Sequence, residues 1–188
     1  MLDNECELLG APLGMLLTSA EHDPDRIARS VFRILESTDL CSMATRGPGA
    51  RVHINTAFFA FDAELCLCFL SDPGSRHCAN LERSPAMAIA IFDSHQQWGE
   101  TNAGLQLFGF GGLASGAALT HAEAVYAERF SRYSELVAAR GGVPGFHRLR
   151  LYRFNTASLS LLDEAEFGDA VLVNAEVSAS GVNGRKHN

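Results

Sequence analysis

Residues 71–85 decide the fold of this chain, and they read Ser-Asp-Pro-Gly-Ser-Arg-His-Cys-Ala-Asn-Leu-Glu-Arg-Ser-Pro. An apolar run at residues 65–70 predicts a strand before them, and the Pro-Gly turn leads into a short predicted helix. Ser75 can cap this helix, which places Arg76 and His77 in its first turn. Unpaired backbone N–H groups and the positive end of the helix dipole converge there, so the segment favours a phosphate or another dianion. An ordinary capped helix with solvated polar side chains is the alternative that these residues leave open.

Length and composition predict a single acidic domain. The chain has 188 residues, of which 47% are hydrophobic and 20% are charged, and this is enough to bury one full hydrophobic core. The formal net charge of −7 disfavours nucleic acid or an anionic membrane as the main partner, because both require a basic surface. An anionic ligand therefore requires a local positive site, which Arg76 can supply.

The cysteines and the apolar segments indicate a cytoplasmic protein. The five cysteines have neither the spacing of a disulfide framework nor that of paired metal ligands. We therefore expect free thiols in a reducing compartment and no metal site. The moderately apolar stretch 8–20 follows acidic residues where a signal peptide requires basic ones, and no apolar run reaches transmembrane length.

One domain is predicted at residues 23–177, between an N-terminal arm or leader at 1–22 and a disordered tail at 178–188. Its pattern predicts six strands, at residues 40–46, 51–61, 64–70, 86–92, 104–115 and 147–162. Helices are predicted at residues 25–37, directly after Ser75, and at residues 120–139. This arrangement indicates a mainly β fold, an antiparallel barrel with Greek-key connections and flanking helices. Gly109, Gly111 and Gly112 predict a bulge or the close approach of a ligand in the fifth strand.

The order of these segments resembles the FMN-binding split-barrel superfamily of pyridoxamine 5′-phosphate oxidase. The matching segments are the strand at 53–59, the strand at 64–71, the Ser-Arg-His-x-x-Asn-Leu run that begins at Ser75, and the strand at 86–91. Within the superfamily, the Arg-His pair and the helix that carries Tyr126, Arg129 and Phe130 resemble the YhbP-like branch. The resemblance covers about residues 25–165 and implies a six-stranded antiparallel split barrel.

The resemblance also implies an FMN site at a homodimer interface. The turn and helix after the third strand then hold the phosphate through Ser71, Ser75, Arg76 and His77. His77 stands where the oxidase has lysine, which implies a weaker phosphate clamp. The other implied flavin contacts are backbone amides beside the isoalloxazine ring and one side chain on a later strand, namely Asn55, Thr56, Ala57, Phe58 and Gln106.

The implied function is a flavin-dependent oxidoreductase that acts on an unidentified small molecule, with a nicotinamide as one candidate electron donor. The flavin itself accepts or donates the hydride, so no side chain is assigned as a catalytic acid or base. The region after Phe154 lacks the arginine-histidine segment with which the oxidase binds pyridoxal phosphate, so vitamin B6 oxidation is not expected. Three alternatives remain open: a haem protein with His53 or His95 as iron ligand, a user of the deazaflavin F420, and a non-catalytic flavin- or haem-binding carrier or sensor.

Overall fold

The computed structural model describes residues 15–139 and 145–179. Within these ranges the strands are β1 (Met15–Thr18), β2 (Leu40–Arg46), β3 (Val52–Phe61), β4 (Cys66–Ser71), β5 (Ala86–Ile91), β6 (Ala103–Leu113), β7 (Arg150–Asp163) and β8 (Leu172–Ala179). The helices are α1 (Pro24–Glu36), α2 (Arg76–Arg83), α3 (Ala117–Arg129), α4 (Ser131–Ala138) and α5 (Glu164–Phe167), with 3-10 turns at Pro48–Ala50 and Phe146–Arg148. None of the helices in the described ranges is long and apolar enough to cross a lipid bilayer.

Strands β2 to β7 close into an antiparallel barrel. Hydrogen bonds connect them in the order β7-β4-β3-β2-β5-β6, and β6 pairs again with β7 to close the ring. β8 pairs with residues 158–162 of β7, and β1 pairs with β8. The predicted mainly β, six-stranded antiparallel fold is therefore confirmed, and two further strands extend it.

Two parts of the predicted organisation differ from the structure. β1 falls inside the predicted N-terminal arm, where Leu17 is buried in the core, and the end of β8 falls inside the predicted tail. These short strands pair with each other across the length of the chain, so neither has a strong local signal. The helix predicted at 120–139 begins earlier, at Ala117, and breaks at Phe130 into α3 and α4. Residues 1–14 and 180–188 lie outside the described residues, and the domain boundaries stay predictions.

The glycines of β6 permit close backbone contacts inside the sheet. The register between β6 and β7 shifts between Phe108 and Gly109, which confirms the predicted bulge. A Cβ atom on Gly109 would lie 2.0 Å from the carbonyl oxygen of Asn155. A Cβ atom on Gly111 would lie 2.8 Å from the sulfur of Met87, so both positions require glycine for packing.

The main core lies inside the barrel and against one face of α1. Phe59, Phe69 and Phe154 are fully buried there, and α1 adds the apolar side of a helix that Asp23 caps. A smaller cluster lies outside the barrel, where Tyr126 of α3 packs over β3, β4 and β7. Burial of apolar surface, worth about 25 cal/mol per Å², stabilises both layers and fixes the strand ends that carry the polar residues of interest.

Candidate functional site

The turn between β4 and α2 brings three predicted site residues together. Ser71 ends β4 and is only 7% exposed, and its Oγ lies 2.6 Å from Nε2 of His77. Ser75 is the N-cap of α2, as predicted, and its Oγ accepts a hydrogen bond from the backbone N–H of Cys78 at 3.4 Å. The Ser75 Oγ also lies 3.1 Å from Nε2 of His77. Two hydroxyl groups and one imidazole therefore converge at the positive end of a helix.

Arg76 is the uncompensated cation of this turn. Its side chain is exposed, and it forms no hydrogen bond or ion pair with any other residue in the described ranges. The nearby carboxylate of Asp72 is engaged elsewhere: it accepts from the backbone N–H of Gly74 at 2.9 Å and pairs with Arg148 at 3.4 Å. The guanidinium group of Arg76 is therefore available to an anion bound at the start of α2.

Buried contacts fix α2 against the barrel. Asn80 is 4% exposed, and its side-chain amide donates a hydrogen bond to the Thr45 hydroxyl of β2 at 3.1 Å. Cys78 and Leu81 belong to the main core. The Ser-Arg-His-x-x-Asn-Leu run therefore has two parts. Asn80 and Leu81 hold the helix against the barrel, whereas residues 75–77 lie at the turn.

Cys78 and Tyr152 lie beneath this turn, and sequence reasoning did not find them as part of the site. Burial raises the pKa of the Cys78 thiol, whereas hydrogen bonds with its neighbours lower it, and the resulting pKa is about 7. The neighbours that lower it are His77, Ser71, Ser75 and Tyr152. Burial also raises the pKa of the Tyr152 hydroxyl, and its hydrogen bond to Cys78 raises it further. No local signal marks this contact, since Tyr152 comes from a distant strand.

The first part of β3 has one unpaired edge. β2 pairs with β3 from Val52 to Phe58, but β4 pairs only with residues 59–61, and no other strand in the described ranges covers the free edge of 52–58. The backbone N–H of Phe59 donates to the carbonyl of Asp39 on the β2 side. In an antiparallel ladder this orientation alternates, so the N–H groups of Thr56 and Phe58 point out of the free edge. The N–H groups of Asn55 and Ala57 point towards β2. A ligand at the free edge can therefore contact only the side chains of these two residues.

The side chain of Asn55 is a buried polar group without a partner. Its Oδ1 atom has no hydrogen bond within the described residues and is inaccessible to solvent. Buried polar atoms are normally paired, so an orphaned acceptor is a place where a ligand can donate a hydrogen bond. Asn55 lies on the same side of β3 as His53, whose ring faces that of His77.

The α3–α4 break borders the free edge of β3. The rings of Phe58 and Phe130 meet edge to face at 6.0 Å. The Arg129 guanidinium donates to the carbonyls of Leu35 at 3.0 Å and Thr38 at 2.7 Å. It also lies 4.8 Å from the ring centroid of Phe59, so this arginine holds α3 to the barrel.

Gln106 lies apart from the turn within one chain. It is exposed on β6, and β2 and β5 separate this strand from β3. A groove of about 220 Å³ crosses these strands on the outer face of the barrel, between Ile54 at one side and Phe108 at the other. Its floor consists of small side chains, namely Ser42, Ala44, Ala88 and Ala90.

The candidate iron ligands do not form a cluster. His53 lies on β3, whereas His95 lies on the exposed loop after β5 and bonds to Asp93 at 2.8 Å. Trp98 is fully exposed on the same loop. In the described part of the chain, no group of three or more His, Cys, Asp or Glu side chains is placed to hold a metal ion.

Solved structures with this fold include both flavin and haem proteins. A pyridoxamine 5′-phosphate oxidase-related, FMN-binding protein of Nostoc punctiforme has a TM-score of 0.53 and 14% identity, over 81% of this chain and 93% of that one. The haem storage protein HutZ of Vibrio cholerae has a TM-score of 0.54 and 16% identity, over 68% of this chain and 88% of that one. A haem-binding protein of Mycobacterium smegmatis has a TM-score of 0.56 and 16% identity, over 78% of this chain and 55% of that one.

These likenesses show the fold alone, because the identities are low. They confirm at that level the predicted resemblance to the pyridoxamine 5′-phosphate oxidase-like split barrel. No protein-family model matches the sequence, and no curated protein sequence matches it either.

Proposed function

We propose that this protein binds FMN at the β4–α2 turn and the free edge of β3, and that it is a flavin-dependent oxidoreductase acting on a small molecule. The observation that carries the proposal is the convergence of Ser71, Ser75 and His77 beside an unpaired Arg76. Hydroxyl, imidazole and guanidinium groups at a helix start suit a phosphate monoester. The FMN-binding protein of Nostoc punctiforme, which has a similar fold, adds support from outside the chain.

The residues along β3 suit the ring system. Free N–H groups of Thr56 and Phe58 can donate to the carbonyl and nitrogen acceptors on the polar edge of an isoalloxazine. After a change of the Asn55 side-chain rotamer, its orphaned Oδ1 can accept from a ribityl hydroxyl or a ring N–H. Bound FMN supplies hydride or electron transfer, while this chain orients the ring and stabilises negative charge on its polar edge. No side chain is assigned as a catalytic acid or base.

We further propose a homodimer that joins through the outer face of β2, β3, β5 and β6. Six large apolar side chains on this face are between 41% and 72% exposed: Leu40, Val52, Ile54, Phe58, Phe108 and Phe110. Together with the groove of small residues they form a contiguous apolar surface, which is typical of a protein interface. In such a dimer, Gln106 of one copy can approach the flavin of the other.

Haem binding is the second candidate, because two structures of this fold come from haem proteins. The absorption spectrum of the purified protein separates the candidates. FMN gives two absorption bands at about 370 and about 450 nm, and haem gives one sharp absorption band at about 400 nm. A flavin spectrum that bleaches anaerobically with a nicotinamide or a substrate supports an enzyme, whereas an inert spectrum favours a carrier or sensor.

The phosphate contact is tested with Arg76→Ala against Arg83→Ala. Arg83 is exposed in the last turn of the same helix, so its loss removes the same charge at the far end. We expect Arg76→Ala to weaken FMN binding by about 10- to 100-fold, as for a lost charge-assisted hydrogen bond, and Arg83→Ala to change it by less than about threefold. Riboflavin, which lacks the phosphate, should bind both variants equally. Wild-type FMN affinity in Arg76→Ala would contradict the proposed site.

A further inference from the structure

Two histidines from different elements face each other beside the β4–α2 turn. The rings of His53 on β3 and His77 on α2 are parallel to within 5°, and their centroids are 6.2 Å apart. Both side chains are half-buried. His77 is held by the hydroxyls of Ser71 and Ser75, whereas His53 has no hydrogen bond or ion pair with any residue in the described ranges.

A phosphate dianion beside two imidazoles favours their charged form, because opposite charges at short range stabilise each other. We propose that His53 is the second imidazole of the phosphate clamp, and that His53 and His77 take up protons when the phosphate monoester binds. This inference rests on the proposed FMN site and adds a residue and a proton linkage to it.

Other charged groups around the two histidines also affect the pH dependence of FMN binding. Arg76 carries a fixed positive charge on α2, and Asp72 in the turn is paired with Arg148. Glu82 lies further along α2 and Tyr152 lies beneath it on β7. The pKa of the Cys78 thiol is about 7, so a thiolate there would also repel an anion as the pH rises. A test must therefore separate the histidines from Cys78.

The expected signature is an FMN affinity that falls as the pH rises above neutrality. A phosphate monoester is mostly dianionic above about pH 6, and an imidazole free in solution loses its proton at about pH 6.5. For each proton taken up on binding, the dissociation constant rises up to about tenfold per pH unit above that point, until the pKa of the complex is reached. Two imidazoles therefore give a steeper dependence than one.

The experiment measures FMN binding by quenching of flavin fluorescence between pH 6.5 and 8.5, with riboflavin as the ligand without phosphate. We expect the wild-type dissociation constant to rise by more than about 100-fold over this range, which exceeds the limit for one proton, and His53→Gln and His77→Gln each to keep the rise below about 100-fold. His147→Gln removes an exposed histidine on the 3-10 turn before β7 and should keep the wild-type profile. Cys78→Ala should keep most of the rise, and riboflavin binding should not depend on pH.

The outcomes separate this inference from the proposed function. FMN binding that is independent of pH, or a wild-type profile in His53→Gln, overturns the histidine clamp and leaves the FMN site in place. A profile that becomes flat in Cys78→Ala but not in the histidine variants assigns the pH dependence to the thiol and also overturns the clamp. Absence of FMN binding at every pH overturns the proposed function itself.

Discussion

The two parts of β3 differ in almost every physical property. Residues 59–61 pair with β4, the Phe59 N–H also donates to the carbonyl of Asp39 just before β2, and the Phe59 side chain is fully buried beneath the guanidinium of Arg129. Residues 52–58 pair only with β2. In this first part Val52 is 72% exposed, Ile54 is 67% exposed, and the buried oxygen of Asn55 has no partner.

The contrast shows how one strand can serve two purposes. The second part of β3 pairs with β4 inside the barrel, and its buried side chains stabilise the fold. A strand edge left open beside exposed apolar residues is usually blocked or covered, because it otherwise invites pairing with another chain. Here the open edge, the apolar outer face and the turn before α2 meet, which is consistent with a ligand and a second copy covering them.

Proline substitutions at adjacent positions give the largest expected difference along this strand. Ala57→Pro removes an N–H that points towards β2, leaves the facing carbonyl of Cys41 without its donor, and should lower the free energy of unfolding by about 1–3 kcal/mol. Thr56→Pro removes an N–H that points out of the free edge, where proline is tolerated, so it should lower the free energy of unfolding by less than about 1 kcal/mol. Urea denaturation measures both values.

The same pair tests the ligand edge. Because the Thr56 N–H is assigned to the flavin ring, Thr56→Pro should weaken FMN binding by about tenfold, the equivalent of one lost hydrogen bond. A larger loss of stability in Thr56→Pro than in Ala57→Pro would show that the ladder alternates in the opposite sense, and that the free amides belong to Asn55 and Ala57.

The turn after β4 and the start of α2 could be predicted from the sequence because their signals are local. The Pro-Gly turn and the cap at Ser75 lie within a few residues of each other and predicted the start of α2 correctly. The free edge of β3 could not be predicted, since it depends on where β4 stops pairing with β3, and β4 also pairs with β7. The contact between Cys78 and Tyr152 depends on the same long-range placement.

The break between α3 and α4 shows a different limit. The apolar stripe at 120–139 predicted one helix, but the chain departs from helical geometry at Phe130, next to Arg129. That arginine bonds to carbonyls at the end of α1 and in the segment before β2. A tertiary contact of this kind leaves no periodic signal in the sequence.

A charge on the outer face should separate the proposed dimer. Ile54→Glu places a carboxylate in the middle of the apolar surface, where burial against a second copy would desolvate it. We expect the dimer dissociation constant to rise by about 100-fold or more, measured by analytical ultracentrifugation. Leu172→Glu is the matched control, because Leu172 is 53% exposed on β8, outside this surface.

The same variant relates assembly to the ligand. If Gln106 of the second copy contacts the flavin, Ile54→Glu should weaken FMN binding at concentrations where it is monomeric, while its thermal unfolding stays close to that of Leu172→Glu. If Ile54→Glu has the wild-type dimer dissociation constant, the outer face of β3 is not part of the interface. The exposed apolar side chains would then have no explanation.

Asn55→Leu gives the smallest expected change and the most direct comparison of stability with binding. An unpaired buried oxygen costs about 1 kcal/mol or more, so replacing the amide by an apolar group of similar size should raise the free energy of unfolding of the ligand-free protein by up to about 1 kcal/mol. The same change should weaken FMN binding by about fivefold, because the ligand loses its acceptor. Calorimetry with and without FMN measures both effects. A variant that is less stable and binds FMN normally would show that the Asn55 side chain stabilises the barrel and does not bind the ligand. Residues 52–58 would then contribute to the fold in the same way as residues 59–61.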